Sequence, residues 1–300
     1  NIHSSQTHTI LVDTYTGNLF VKRTDFVNSS TYFPLNAEFY YNSGSSFEGH
    51  FGYQWQFKYS VRFTSNNFNG NIIVSKEDDK SLLFKFNRDS LRFESIVFDS
   101  LYQGPQGLVL DSYYNSFYDS YRAKYYFENF NNNYASKIIP FPNDTIDLRY
   151  SNNQLTNIAH NNSLVYHGLY ENNLLNTLKY KDINAADYEY DDAGFLKKVS
   201  YPNNFKVQYG YDECNLLNSI DFGHNSIHFI YNDSLKIQKV IYRNDNNSDT
   251  VTFEYLPYLA KYYDIYGSKF EIRYNQDGKY TEVIDPYAKS QKVEYSDNLK

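Results

Sequence analysis

The chain has 300 residues, of which 34 are Tyr, 23 Phe and one Trp, whereas Gly numbers 13, Pro seven and Ala nine. A profile so poor in the best helix former and so rich in residues suited to a pleated, half-buried surface predicts an all-β fold. With 41% hydrophobic and 21% charged residues the chain is not disordered. No stretch approaches the roughly 18 consecutive apolar residues of a membrane helix, and a net charge of −7 without a basic run argues against nucleic acid as a partner.

Two further bounds follow from composition. The one cysteine, Cys214, forbids an internal disulfide and any cysteine-based metal site. Met is absent and Asn1 opens the chain with no charged-then-apolar leader. Both features are compatible with a secreted or cell-surface protein.

In chain order, the first half reads as a series of short strands. Asp13 to Phe26, Phe33 to Ser43 and Phe51 to Trp55 lead to an alternation of Tyr59, Val61 and Phe63. Leu82 to Phe86 and Phe93 to Phe98 continue it. Gly104-Pro105-Gln106-Gly107 is a turn and not a phosphate loop, because no Lys-Ser/Thr follows and no helix opens.

The second half is periodic. Tyr188-x-Tyr190-Asp191-Asp192-Ala193-Gly194-Phe195-Leu196-x-x-Val199 returns at Tyr209 to Ile220, at Phe229 to Val240 and from Tyr274. Phe130, Tyr150 and Tyr170 carry a version one residue shorter in the turn, and Tyr255 and Tyr295 continue the series less faithfully. The anchors are therefore Phe130, Tyr150, Tyr170, Tyr190, Tyr211, Tyr231, Tyr255, Tyr274 and Tyr295, at spacings of 19 to 24 residues. In each unit Tyr-x-Tyr or Phe-x-Tyr places aromatics on one face of a strand, an Asp/Asn-rich segment reverses the chain, and an apolar strand returns. Gly194 and Gly278 supply the left-handed turn residue, and Asn153, Asn173 and Asn215 take its place elsewhere, Asn being the next most tolerant of that conformation. A hairpin of this length cannot bury its apolar face alone, so successive hairpins must pair laterally into one sheet.

These motifs resemble the YD repeats of the Rhs (rearrangement hotspot) and teneurin families. The resemblance is densest over Tyr188 to Tyr211 and over Tyr274 to Leu299, where Asp285-Pro286 is similar to the family's inter-repeat Asp-Pro and Ala288 stands where Gly is usual. The stretches from Asp13, Phe33 and Phe51 are similar to the opening region of Rhs proteins. The resemblance implies a spiral β-sheet that curls into a shell, which in larger members encloses a toxin domain and in teneurins serves adhesion. This chain has too few repeats for a closed shell and lacks the aspartyl self-cleavage segment that ends the Rhs core. An array of antiparallel hairpins of about 20 residues, forming a curled, open sheet, is expected. Residues 1–125 would be an N-terminal Rhs-like opening region with degenerate β-repeats, and 126–300 the YD-type repeats continuous with it.

Candidate chemistry is sparse. The seven His form no metal motif, and His224 and His228, four apart on a strand, would stand too far apart for one ion. Asp191/Asp192 and Asp78/Asp79 fall in expected turns, where Asp bonds local backbone. Cys214 has no basic neighbour to activate it. No catalytic, cofactor-binding or metal residue and no cofactor is assigned. Five Asn-x-Ser/Thr sequons, at Asn28, Asn143, Asn161, Asn232 and Asn246, are what chance gives with so many Asn, Ser and Thr. The tyrosines serve either as cross-strand ladders or as a surface for a protein or glycan ligand. The function expected is that of a noncatalytic extracellular or cell-surface scaffold, adhesion or self-assembling module that pairs through its edge strands. The alternatives are a shell fragment of an Rhs-type toxin, which encapsulates or delivers an effector, and a carbohydrate-binding protein.

Overall fold

Turn chemistry sets the repeat. In the computed structural model, which describes residues 7–27, 35–65, 71–76, 81–87, 92–94, 99–105, 107–115, 120–128, 133–140 and 144–294, the Asp or Asn after each faithful anchor caps its own turn. Asp191 Oδ1 accepts the N–H groups of Ala193 and Phe195, while Gly194 N–H donates to the Asp191 carbonyl. The same bonds recur at Asp212, Asn232, Asp264, Asn275 and Asp285. Each such turn needs a left-handed residue at its fourth position, supplied by Gly194, Asn215, Leu235, Gly267, Gly278 and Ala288. The shorter upstream repeats use two-residue turns in which both residues are left-handed, Asn152-Asn153 and Asn172-Asn173. That geometry accounts for the missing residue in their spacing.

All regular structure among the described residues is strand and turn. From Ser100 onward, 19 strands follow one another in chain order in an open antiparallel sheet with Ser100–Gly104 and Ser290–Lys292 at its two ends. Ahead of it stand a four-stranded sheet (Thr7–Val12, Leu19–Phe26, Ala37–Asn42, Trp55–Phe57), a second four-stranded sheet (Arg62–Ser65, Ile72–Ser75, Ser81–Asn87, Arg92–Glu94), and the short hairpin Glu48–Gly49 with Gly52–Tyr53. The all-β, open-array expectation therefore matches the structure. Of the residues named from sequence, Asn1, Asn28, Phe33, Asp78, Asp79, Phe98, Gln106, Phe130, Asn143, Tyr295 and Leu299 lie outside the described residues.

Contacts divide the chain into two compact units, residues 1–9 with 22–204 and residues 10–21 with 205–300. This division is drawn on packing and does not coincide with the repeat-based one at residue 125.

In the first unit the hairpins place alternate residues on one buried face. Ile146, Leu148, Leu155, Ile158, Leu175, Leu178, Leu196 and Val199 form that face, and Asp147, Arg149, Lys179 and Lys198 lie on the other. The N-terminal sheet covers the apolar face. Phe26 stacks on Tyr180 at 4.2 Å, Phe39 meets Tyr188 at 5.6 Å, and the Tyr166 hydroxyl donates to the Leu35 carbonyl. Covering this face with aromatic rings stabilises the layer by roughly 25 cal/mol per Å² of apolar surface removed from water.

In the second unit the turn Asp13–Asn18 packs on the repeats. Ile237 N–H donates to the Gly17 carbonyl at 2.9 Å, and the Tyr15 ring lies 5.1 Å from that of Tyr274. Gly17 has φ +80° and lies so close to Lys236 that an added Cβ would fall 2.4 Å from that side chain. Both the conformation and the approach require Gly.

Candidate functional site

The anchor tyrosines have a defined task. At six anchors the ladder slips by one residue, so that one position on the returning strand is left over: Thr156 opposite Tyr150, Asn176 opposite Tyr170, Lys197 opposite Tyr190, Asn218 opposite Tyr211, Gln238 opposite Tyr231 and Thr281 opposite Tyr274. A bulge of this kind disrupts the ladder and strands a carbonyl. At three of them the next anchor in sequence supplies the missing donor. Tyr170 donates its hydroxyl to the Leu155 carbonyl at 2.8 Å, Tyr231 to that of Leu217 at 3.0 Å and Tyr255 to that of Ile237 at 2.8 Å. Burial, the largest cause, pushes the Tyr170 and Tyr255 phenols well above their ordinary range, so both stay protonated donors. The tyrosine ladder weighed from sequence is thus partly a set of hydroxyl bonds to bulged backbone, a role that spacing alone does not reveal.

The other sequence candidates are dispersed. Tyr150 is stacked on Tyr134 at 5.2 Å. Asn153, Asn173, Gly194, Asn215 and Gly278 all occupy left-handed turn positions. Cys214 is exposed in the Asp212 turn. His224 lies in the loop before the strand Asn225–Tyr231 and pairs with Asp245 at 3.1 Å, so placing it with His228 on one strand was incorrect; the Asp221 turn ends the pairing before it. His228 bonds Ser226 at 3.1 Å. Tyr266 and Tyr287, 86% and 84% exposed, are turn residues that face solvent.

The most concentrated chemistry is buried in the first unit, where the N-terminal sheet meets the repeats. Asp25, fully buried, accepts the hydroxyls of Tyr188 and Tyr201 at 2.7 Å each and forms an ion pair with Arg23 Nε at 2.8 Å. The Arg23 guanidinium lies over Phe39, Trp55 and Tyr188, 4.4, 4.9 and 5.3 Å from the ring centroids. Burial first, and then the Asp25 charge, raises the Tyr188 phenol far above its usual range. Beside this group Glu38 is held by Lys22 at 2.9 Å and Lys58 at 3.0 Å, and accepts the Tyr40 hydroxyl at 3.0 Å. Burial opposes its ionised form, but the two ammonium groups prevail and hold the carboxyl down at about 2. His8, driven down to about 3 by burial and then by Arg23, is neutral. Asp25 and Arg23 thus tie a strand of the N-terminal sheet to Tyr188 and Tyr201 of the repeats, whereas Glu38, Lys22 and Lys58 close among themselves within the N-terminal segment.

Residues 11–84, about a quarter of the chain and the part that contains Arg23, Asp25 and Glu38, match a family model described as a domain of unknown function (DUF6531). None of the curated proteins matches the sequence. Crystal structures of TcdB2-TccC3-Cdc42 and TcdB2-TccC3-TEV align with 88% and 93% of this chain, each at 10% identity and a TM-score of 0.34. The chain covers 17% of the length of each. Among the described residues no helix is long and apolar enough to cross a membrane.

Proposed function

We propose that this Rhs-like chain is a noncatalytic wall segment of a secreted β-shell, a scaffold that assembles with protein partners through the ends of its sheet. The observation that supports this reading is the dependence of one hairpin on the next at three bulges, where the carbonyls of Leu155, Leu217 and Ile237 are completed by the following repeat. Among the described residues, the ladders at Ser100–Gly104 and Ser290–Lys292 stand at the two ends of the sheet's strand order. Unpaired ladders recruit further strands.

Light scattering and negative-stain microscopy of the purified chain test the proposal. Assemblies larger than one chain are expected, and Lys292→Pro, which removes an outward-facing ladder donor from the last strand, should reduce them. A chain that stays monomeric at every concentration would overturn it.

A further inference from the structure

A cavity of about 920 Å³ opens in the first unit between the short hairpin around His50 and the tips of two neighbouring repeats, the Asn172-Asn173 turn and the Asp191–Gly194 turn. Backbone bonds hold its walls in place: Leu175 N–H donates to the His50 carbonyl at 2.7 Å and Tyr53 N–H to that of Gly194 at 3.2 Å. His50 Nδ1 lies 2.7 Å from the Asn173 carbonyl. A carbonyl only accepts, so Nδ1 carries the proton, and in the neutral tautomer this leaves Nε2 as an acceptor. The space lies within the size range of small-ligand pockets.

Its chemistry is one-sided. Glu48, Glu171, Glu189, Asp191 and Asp192 are among its lining residues, and none of those residues is Lys or Arg. Asp191 is committed to its turn and Glu189 is paired with Lys198. Glu48, Glu171 and Asp192 are exposed and carry no ion pair or side-chain hydrogen bond among the described residues. Tyr190 is enclosed in the wall, so close to Gly52 that an added Cβ there would lie 3.2 Å from its ring. No described residue bonds its hydroxyl, which is left to the cavity. No three of the His and acidic side chains among the described residues converge as a metal set. The spread of charge therefore suits several separated cationic groups better than one ion.

We propose that this cavity binds a multivalent amine, a ligand carrying at least two ammonium or guanidinium groups, as a free polyamine or as a basic peptide segment. The free carboxylates take the charged ends, the Tyr190 hydroxyl and His50 Nε2 accept N–H bonds, and the Tyr190 ring gives a cation a face to rest on. Anions are repelled.

The test is calorimetric titration of the full chain with spermine and, separately, with a short peptide alternating lysine and alanine. Comparison is with the variant E48Q/E171Q/D192N and with E213Q/D233N/D277N, which removes the same charge from exposed turns of the second unit. One-site binding of at least one amine is expected, weakened at least about tenfold in the first variant and less than about twofold in the second. Binding of spermine alone identifies a free polyamine, and binding of the peptide alone a basic segment. Should the triple variant fail to fold, as read by Trp55 fluorescence, the single exposed substitution Asp192→Asn is expected to weaken binding in the same direction. The proposal is overturned if neither amine binds, if both triple variants weaken it equally, or if a neutral xylo-oligosaccharide binds where the amines do not.

Discussion

Asp25→Ala should be among the most damaging single substitutions in the first unit. The carboxylate is fully buried and serves three groups at once: Arg23 at 2.8 Å, and the Tyr188 and Tyr201 hydroxyls at 2.7 Å each. Its removal leaves a buried guanidinium without its counter-charge, a cost of about 3–5 kcal/mol. Two buried hydroxyls also lose their acceptor, but the three losses belong to one network and do not add. A net loss of at least about 4 kcal/mol follows, against about 1.5–3 kcal/mol for Tyr201→Phe, which removes one bond to a charged acceptor. Trp55 is the only tryptophan, is fully buried and lies 4.9 Å from the Arg23 guanidinium, so its fluorescence in urea reports this region directly. With a denaturant slope of about 2–3 kcal/mol per molar, the midpoint should fall by more than about 1 M in Asp25→Ala. Asp233→Ala, exposed in a turn of the second unit, should leave it within about 0.5 kcal/mol. If Asp25→Ala proved no worse than Tyr201→Phe, the claim that the ion pair carries most of the cost would be wrong.

Three further outcomes are expected. Acid should destabilise the first unit in two stages: the contribution of neutral His8 is complete above pH 6.5 and is lost as pH falls toward about 3, and that of ionised Glu38 is complete above pH 4.5 and is lost as pH falls toward about 2, the latter worth roughly 3 kcal/mol. Trp55-monitored unfolding between pH 7 and 3 should therefore slope downward, less steeply above pH 4.5 in His8→Gln; a flat profile contradicts the assignment. Asn232→Ala should cost about 1–2 kcal/mol in thermal unfolding because two backbone donors lose Oδ1, whereas Asn232→Asp should be nearly neutral, Asp holding the equivalent place at Asp191, Asp212, Asp264 and Asp285. Ala288→Gly should raise the melting temperature, since Ala288 sits at φ +61° where an L side chain costs about 1–2 kcal/mol; a drop would mean that the chain entropy of Gly dominates.

The repeats were legible because their signals are local. A tyrosine, the Asp or Asn after it and a left-handed residue three further on lie within five positions, as in Tyr190 to Gly194, so spacing reveals them. The partners of these residues were not legible. Asp25 meets Tyr188 across 163 positions and Tyr201 across 176, and no periodicity links a buried acid in an N-terminal strand to two members of a repeat series. The bulges were hidden for another reason: the left-over residues Thr156, Asn176, Lys197, Asn218, Gln238 and Thr281 share no side-chain type, because bulging is a property of backbone register. His224 was misplaced because Gly223, left-handed at φ +94°, breaks the strand one residue before it.

The bonds from Tyr170, Tyr231 and Tyr255 back to the previous bulge also give this part of the array a direction in time. Leu155 leaves the ribosome 15 residues before Tyr170, and Ile237 leaves it 18 residues before Tyr255. At a synthesis rate of about 5–20 residues per second, each turn waits on the order of seconds, its carbonyl held by water, until the next anchor arrives to close it. At these three points the growing chain carries one unfinished bulge at its leading edge. Synthesis order and sheet order are then the same, and every hairpin that emerges finds its template already folded.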